Sequence, residues 1–444
     1  MSNQMIKDLG DGLILRRATP SDTEALAAFN GRIHAEPDSE EEEEGVAAWV
    51  RDLMTKPHPT FDPADFTIVE DTTADKIVSS LNLINQTWSY GGVEFGVGRP
   101  ELVGTDPEYR RRGLIREQFD LIHQWSAERG HKVQTITGIP YYYRMFGYEM
   151  ALTLGGGRIG YLPHTPKLKD DEQEPYLFRT AAKADIPFIM KVYQHALERN
   201  LVGCRRDAAY WQYEIDGKSP KNIQRSELRL IETADGERVG FIQHAATIWN
   251  AIINLWGYEL KAGISWLDVT PSVIRYLVKT GKEYAARKEK IELAGYNFGL
   301  GVEHPAFQVL PGRMPRTNNP YAWYIRVVDI PDFLFHIRPV LEQRLSNSYL
   351  VGHSGELKIS FYRSAVKLTF EKGALKGVES YQPEHNEDAD VLFPDLTFLR
   401  VLFGYQSFDV VENAFPDCFA RTDQGRALVP VLFPQKNSNI WAIA

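Results

Sequence analysis

Two stretches of the chain repeat one pattern of apolar and polar positions. Leu13-Ile14-Leu15-Arg16 is followed by Ala18 and Asp22, and Tyr176-Leu177-Phe178-Arg179 by Ala181 and Asp185, at a constant offset of 163 residues. Each copy predicts a short strand ending in Arg, a turn that places Asp beside a helix start, and an amphipathic helix. The helices are expected to open near Thr23 and Ile186. Two starts of one domain type explain the recurrence better than chance does.

Breaks in the pattern divide the rest. Pro163, Pro166 and Pro175 flank the charged run Lys167–Glu174, the composition of an exposed linker, and Gly312, Pro315 and Asn318-Asn319-Pro320 mark a second break. Three domains are expected, at residues 1–162, 175–312 and 320–444. The last alternates strand-like runs (Trp323–Val328, Leu357–Tyr362, Ala365–Glu371) with helical ones, as a small α+β domain does.

The most informative segment runs from Glu101 to Arg116. A strand, Leu102–Thr105, turns at Asp106-Pro107. An amphipathic helix then carries Ile115, Phe119, Ile122 and Trp125 on one face and stops at Arg129-Gly130. Arg110-Arg111-Arg112-Gly113 stands at the start of that helix, where the macrodipole disfavours cations. Unpaired backbone N–H groups and guanidinium groups together form an anion site, and glycine lets the backbone approach the anion closely. A diphosphate fits every part of this arrangement. After the strand Val133–Thr137 comes a second cluster, Gly138-Ile-Pro-Tyr-Tyr-Tyr-Arg-Met-Phe-Gly-Tyr148. Its aromatic residues serve either as core or as phenols beside a leaving group.

Composition narrows the chemistry. The chain has 444 residues, room for about three cores, and is 43% hydrophobic and 25% charged, in the range of folded proteins. A net charge of -9 speaks against nucleic acid as a partner, because phosphate contacts need clustered Lys and Arg. Two cysteines, Cys204 and Cys418, with no C-x-x-C, and scattered histidines with no H-E-x-x-H give no metal site. Neither a signal peptide nor a membrane-spanning segment is evident, so a soluble, cytoplasmic protein without membrane partners is expected. Gly155-Gly156-Gly157-Arg158-Ile159-Gly160 satisfies G-x-G-x-x-G. Prolines rather than a helix follow it, which removes a dinucleotide site.

The two clusters together resemble the GNAT acetyltransferase superfamily, in which R-x-x-G-x-G/A follows a strand and opens a helix. Arg110 and Gly113 match; Ile115 stands where a small residue is usual. The chain as a whole resembles the enhanced-intracellular-survival (Eis) family. The points of resemblance are Arg110-Arg-Arg-Gly-Leu114, Tyr143 to Tyr148, Gly203-x-x-Arg206 with Trp211, Trp323 to Phe333, and Asp395 to Gly404.

That resemblance implies a mixed α/β fold of two tandem GNAT-like domains and a C-terminal sterol-carrier-protein-like domain. The cofactor it implies is acetyl-CoA without a metal, held by Val103, Gly104, Thr105, Arg110, Arg111, Arg112, Gly113, Leu114, Ile115, Arg116 and Gly138. The second GNAT-like copy, with Thr270-Pro271-Ser272 after its candidate strand Ile264–Val269, is expected to lack a cofactor cradle. Tyr143 is implied as general acid, the terminal carboxylate of Ala444 as base, and Trp49 as a wall of the acceptor pocket. The acceptor would be a primary amine of a small molecule or a lysine side chain, and the assembly a homo-oligomer, a hexamer by resemblance. Ile443 beside the chain end brings no acid to hold a multi-amine aminoglycoside. The competing reading is a lipid- or ligand-binding protein that uses the C-terminal domain, with the acetyltransferase fold idle.

Overall fold

The computed structural model describes residues 5–36, 41–287, 291–383 and 389–441. Its two repeated stretches are built alike. The strands are Leu13–Arg17 and Tyr176–Thr180, and the helices that follow are Thr23–Ile33 and Ile186–Arg199. Arg16 donates from both terminal nitrogens to the two oxygens of Asp22 (2.9 and 2.7 Å) and from Nε to Glu70 (2.6 Å). Arg179 does the same to Asp185 (2.6 and 2.8 Å) and Glu232 (2.8 Å). A planar guanidinium with five donors meets carboxylates in this fork-like way. Here it ties a strand end, a helix start and the neighbouring strand together.

The described strands form three sheets. The first is nine-stranded, in the order Met5–Gly10, Leu13–Arg17, Phe66–Asp71, Lys76–Tyr90, Val93–Thr105, Val133–Ile136, Tyr321–Val327 and Glu149–Leu154, with Val202–Cys204 also paired to Lys76–Tyr90. The second is seven-stranded: Arg316–Asn318, Gly157–Tyr161, Gly295–Phe298, Ile252–Leu260, Arg238–Trp249, Ser226–Thr233 and Tyr176–Thr180. The third is five-stranded: Ala374–Tyr381, Ala365–Glu371, Gly355–Ser360, Val391–Leu392 and Phe419–Ala420.

Two strands lie away from their neighbours in sequence. Gly157–Tyr161 follows the first sheet in the chain but pairs within the second. Tyr321–Val327, which the sequence places at the head of the C-terminal domain, is inserted in the first sheet between Val133–Ile136 and Glu149–Leu154. The physical reason is burial of both its faces. Ala322 and Tyr324 pack with Phe119 and Ile122. Trp323 and Ile325 pack in the core that the first sheet shares with the third, alongside Trp88, Leu357 and Leu402. The C-terminal portion therefore shares a continuous core with the first sheet.

The helix after Asp106-Pro107 starts later than the arginines. It spans Leu114–Glu128, with Gly113 as its N-cap at φ 78° and Arg129 as its C-cap. Phe119, Ile122 and Trp125 are buried as their spacing predicts, and Ile115 is half-buried. Gln118, fully buried, donates to Ser79 (2.7 Å) and accepts from Thr67 (2.8 Å), which locks the helix to the sheet beneath. The glycines at 155–157 lead into the strand Gly157–Tyr161 rather than into a helix. No described helix is long and apolar enough to cross a membrane.

Candidate active site

The site begins where two parallel strands part. Val93–Thr105 pairs with Val133–Ile136 only at Val97–Val133 and Gly98–Gln134, although both strands run on. On its other side Val93–Thr105 stays paired with Lys76–Tyr90 as far as Thr105–Ser79. A register shift between Ser80 and Asn82 coincides with Leu102 at φ 53°, a left-handed conformation rare for leucine. That bulge bends the segment Leu102–Thr105 away from Ile136–Gly138.

A cavity of about 820 Å³ fills the gap. One wall is Leu102–Thr105 and the other Ile136–Gly138. Arg110, Arg111 and Gly113–Arg116 also line it, as do Ile33, His34, Glu101 and the turn holding Tyr142, Tyr143, Met145 and Phe146. Of the cofactor residues expected from sequence, Val103, Gly104, Thr105, Arg110, Arg111, Gly113, Leu114, Ile115, Arg116 and Gly138 all line it. Arg112 does not; its guanidinium lies 4.9 Å from the centre of the Tyr109 ring.

The arginine end has the character of an anion cradle. Arg110, Arg111, Arg112 and Arg116 are exposed. Arg16, Arg179, Arg199 and Arg400 each hold a carboxylate, whereas none of these four has an acidic partner within 4 Å among the described residues. Arg111 and Gly113 both adopt positive φ (65° and 78°), a backbone form that turns successive N–H groups toward one point. A Cβ placed at Gly113 would meet nothing within 4 Å, so the approach to those amides is open. A diphosphate bearing two negative charges fits both the guanidinium groups without acidic partners and the open amides.

Tyr143 lies on the turn Tyr142–Phe146, whose Phe146 ring is 5.3 Å from the Arg116 guanidinium. The Tyr143 ring packs against Phe119, Tyr142, Tyr148 and Tyr324 and is 4% exposed. Burial is the main cause that raises its pKa, with Glu101 acting in the same direction, so the phenol stays protonated well above neutral pH. Tyr148 is different: it is fully buried and shares a 2.8 Å hydrogen bond with His123, a core pair rather than a cavity group.

Sequence reasoning did not single out His34 and Glu101. His34 closes the helix Thr23–Ile33, and Gly104 lets that helix end approach the strand, since a Cβ there would lie 2.6 Å from Ile33. His34 is exposed on the cavity wall; partial desolvation there is the main cause that lowers its pKa, with Glu101 acting the other way. The imidazole is therefore neutral at pH 7. Glu101 accepts from the Arg99 guanidinium and, through Oε2, from the Leu102 amide at 3.3 Å. His34 lies in no motif and Glu101 only opens the segment Glu101–Arg116; separation of the strands brings both to the cavity.

Trp49 is placed elsewhere. It is 4% exposed, in the core of the helices Thr23–Ile33 and Glu44–Thr55, and is not on the cavity wall. A large indole on the buried stripe of an amphipathic helix belongs to the core by its period alone. Ala444 lies outside the described residues. The last described residue, Trp441, stacks on Trp256 at 4.6 Å, and its carbonyl accepts from Arg206. No cluster of three or more metal-ligating side chains occurs among the described residues.

Residues 15–151 match the family model described as acetyltransferase (GNAT) domain. No curated protein matches the chain in sequence. Solved structures with a similar fold include a conserved protein of unknown function from Enterococcus faecalis. It has TM-score 0.66 and 12% identity, over 97% of this chain and 100% of that one. A GCN5-related N-acetyltransferase from Anabaena variabilis has TM-score 0.63 and 14% identity, over 96% and 99%. Eis1 from Mycobacterium abscessus has TM-score 0.58 and 12% identity, over 97% and 99%. Residues 15–151 are thus similar to a GNAT acetyltransferase domain, within a chain that shares the fold of these structures along nearly its whole length.

Proposed function

We propose that the chain transfers an acetyl group from acetyl-CoA to a primary amine in the cavity between Leu102–Thr105 and Ile136–Gly138. The observation that carries this reading is the set of guanidinium groups without acidic partners beside open backbone amides, in a cavity that a buried phenol also lines. Cations gathered ahead of a helix N-terminus are costly unless an anion offsets them.

When bound, acetyl-CoA supplies a thioester that an amine can attack. The chain's own residues do the rest. Arg110, Arg111 and Arg116, with the amides of Gly113–Ile115, hold the diphosphate and so limit where the thioester can lie. Backbone groups of Val103–Thr105 align the arm between them. Tyr143 holds a proton at Oη for the departing sulfur, whose conjugate acid has a pKa of about 8.5, below that of the phenol; the geometry therefore favours donation of a hydrogen bond over full early transfer. Neutral His34 accepts the proton that the amine releases, and Glu101 attracts the incoming ammonium group. The second repeat, in this reading, is a scaffold without a cradle, and the C-terminal portion buttresses the first sheet.

The experiment is acetyl transfer from labelled acetyl-CoA to a panel of primary amines (spermidine, glucosamine and an Nα-blocked lysine), with wild type and Tyr143→Phe. Labelled amide is expected from at least one amine, with kcat lowered about 100-fold in the variant. Wild-type protein that binds no CoA and labels none of the panel contradicts the proposal.

A further inference from the structure

We infer that Glu149 is a positioning residue for Tyr143, clamping the tyrosine turn to a helix of the C-terminal portion. The inference rests on Tyr143 as proton donor. Arg144 lies between Tyr143 and Met145, both on the cavity wall. Its Nη2 stands 2.8 Å from Oε2 of Glu149. The other carboxylate oxygen accepts from Nη2 (2.8 Å) and Nε (3.2 Å) of Arg400, on the helix Phe398–Leu402. Glu149 is 1% exposed. One buried carboxylate thus joins two guanidinium groups from parts of the chain more than two hundred residues apart in sequence.

The turn needs such an outside hold. It spans five residues, is entered through Tyr141 at φ 70° and is left through Gly147 at φ 83°. A left-handed tyrosine persists only where its surroundings impose it. Two further ties come from the strand Tyr321–Val327: Tyr324 Oη accepts from the Tyr141 amide at 3.2 Å, and Tyr321 Oη donates to the Gly138 carbonyl. Among the described residues, Glu149 is the one carboxylate that holds the other side of the turn. Moving the turn relative to Phe398–Leu402 would strand a buried charge, which is strongly unfavourable. The arginine cradle meets this turn at Arg116, whose guanidinium lies 5.3 Å from the centre of the Phe146 ring, but among the described residues no ion pair joins the cradle to Glu149 or Arg400. Loss of the clamp should therefore disturb proton donation and leave diphosphate binding intact.

The test uses full-length Glu149→Gln and Arg400→Gln, the second changing a side chain that is not fully buried. Amide hydrogen exchange over 141–148 is expected to quicken about tenfold or more in both, with 111–117 unchanged. In acetyl transfer to the best amine of the panel, kcat should fall about tenfold with KM for acetyl-CoA within about twofold. That loss should disappear in a Tyr143→Phe background, because coupled residues are non-additive. Unchanged exchange over 141–148 in both variants overturns the clamp. An equal loss of kcat with and without Tyr143 overturns its action through that residue. If wild-type protein transfers no acetyl group, the acetyltransferase reading fails on its own, while the exchange result still decides the clamp.

Discussion

Gly138 lies directly against Tyr143: a Cβ at Gly138 would stand 3.0 Å from Cε2 of the ring and 3.2 Å from its Oη. The contact joins the end of one cavity wall to the phenol, and φ 141° at Gly138 adds a backbone reason for the missing side chain. Gly138→Ala should push the phenol off its position. We expect kcat for acetyl transfer to fall about 10- to 100-fold, the range that a displacement of about 1 Å produces. Thermal stabilisation by acetyl-CoA should persist, because the arginines that hold the diphosphate are unchanged. Steady-state kinetics with a parallel thermal-shift titration checks both.

His34 predicts the acid limb of the pH profile. Its pKa is lowered below the ordinary histidine value, so the neutral, proton-accepting form persists to lower pH than an exposed histidine would allow. The acid limb of kcat/KM should therefore fall below pH ~6.5, and His34→Gln should remove it while lowering the plateau. On the alkaline side the raised pKa of Tyr143 predicts no loss from its ionisation up to about pH 10. Profiles of wild type and variant, measured with one amine, test these limbs together.

The Arg179–Asp185 pair predicts acid sensitivity. The Arg179 hydrogen bonds are the chief cause that holds Asp185 down to about 2, against about 3.9 in an unfolded chain. Its contribution to stability is present above pH ~4 and is lost as pH falls toward 2. Arg179 is two-fifths exposed, so screening reduces the value to about 1–2 kcal/mol. Asp185→Asn should lower the melting temperature at pH 7, and the gap to wild type should close near pH 2. Thermal unfolding across that pH range makes the comparison.

Much of this was legible in the sequence because it is local. Arg16 and Asp22, like Arg179 and Asp185, lie six residues apart, so the pattern shows before any fold is known. The stripe Phe119, Ile122 and Trp125 has helical period, and the arginines ahead of Leu114 stand out because they oppose a dipole. The helix itself starts at Leu114 rather than among the arginines, since Arg111 and Gly113 take left-handed backbone that no propensity reveals.

The rest depends on distant pairing. Tyr321–Val327 alternates apolar residues as a strand should, but nothing local tells which sheet it joins; two separate cores, one on each face, decide that. His34 and Glu101 matter only because two strands separate beyond Gly98. Trp49 shows the converse: a residue singled out by resemblance occupies the core its helical position assigns.

The central claim is that the unpaired guanidinium groups exist to hold a diphosphate, and calorimetric titration of CoA tests it most directly. Arg111→Ala/Arg116→Ala should weaken binding about 100-fold, each lost charged contact costing about 1.5 kcal/mol. Arg112→Ala, which removes a charge resting over Tyr109 outside the cavity, should weaken it only about twofold. Equal affinity in wild type and the Arg111/Arg116 double variant would contradict the account.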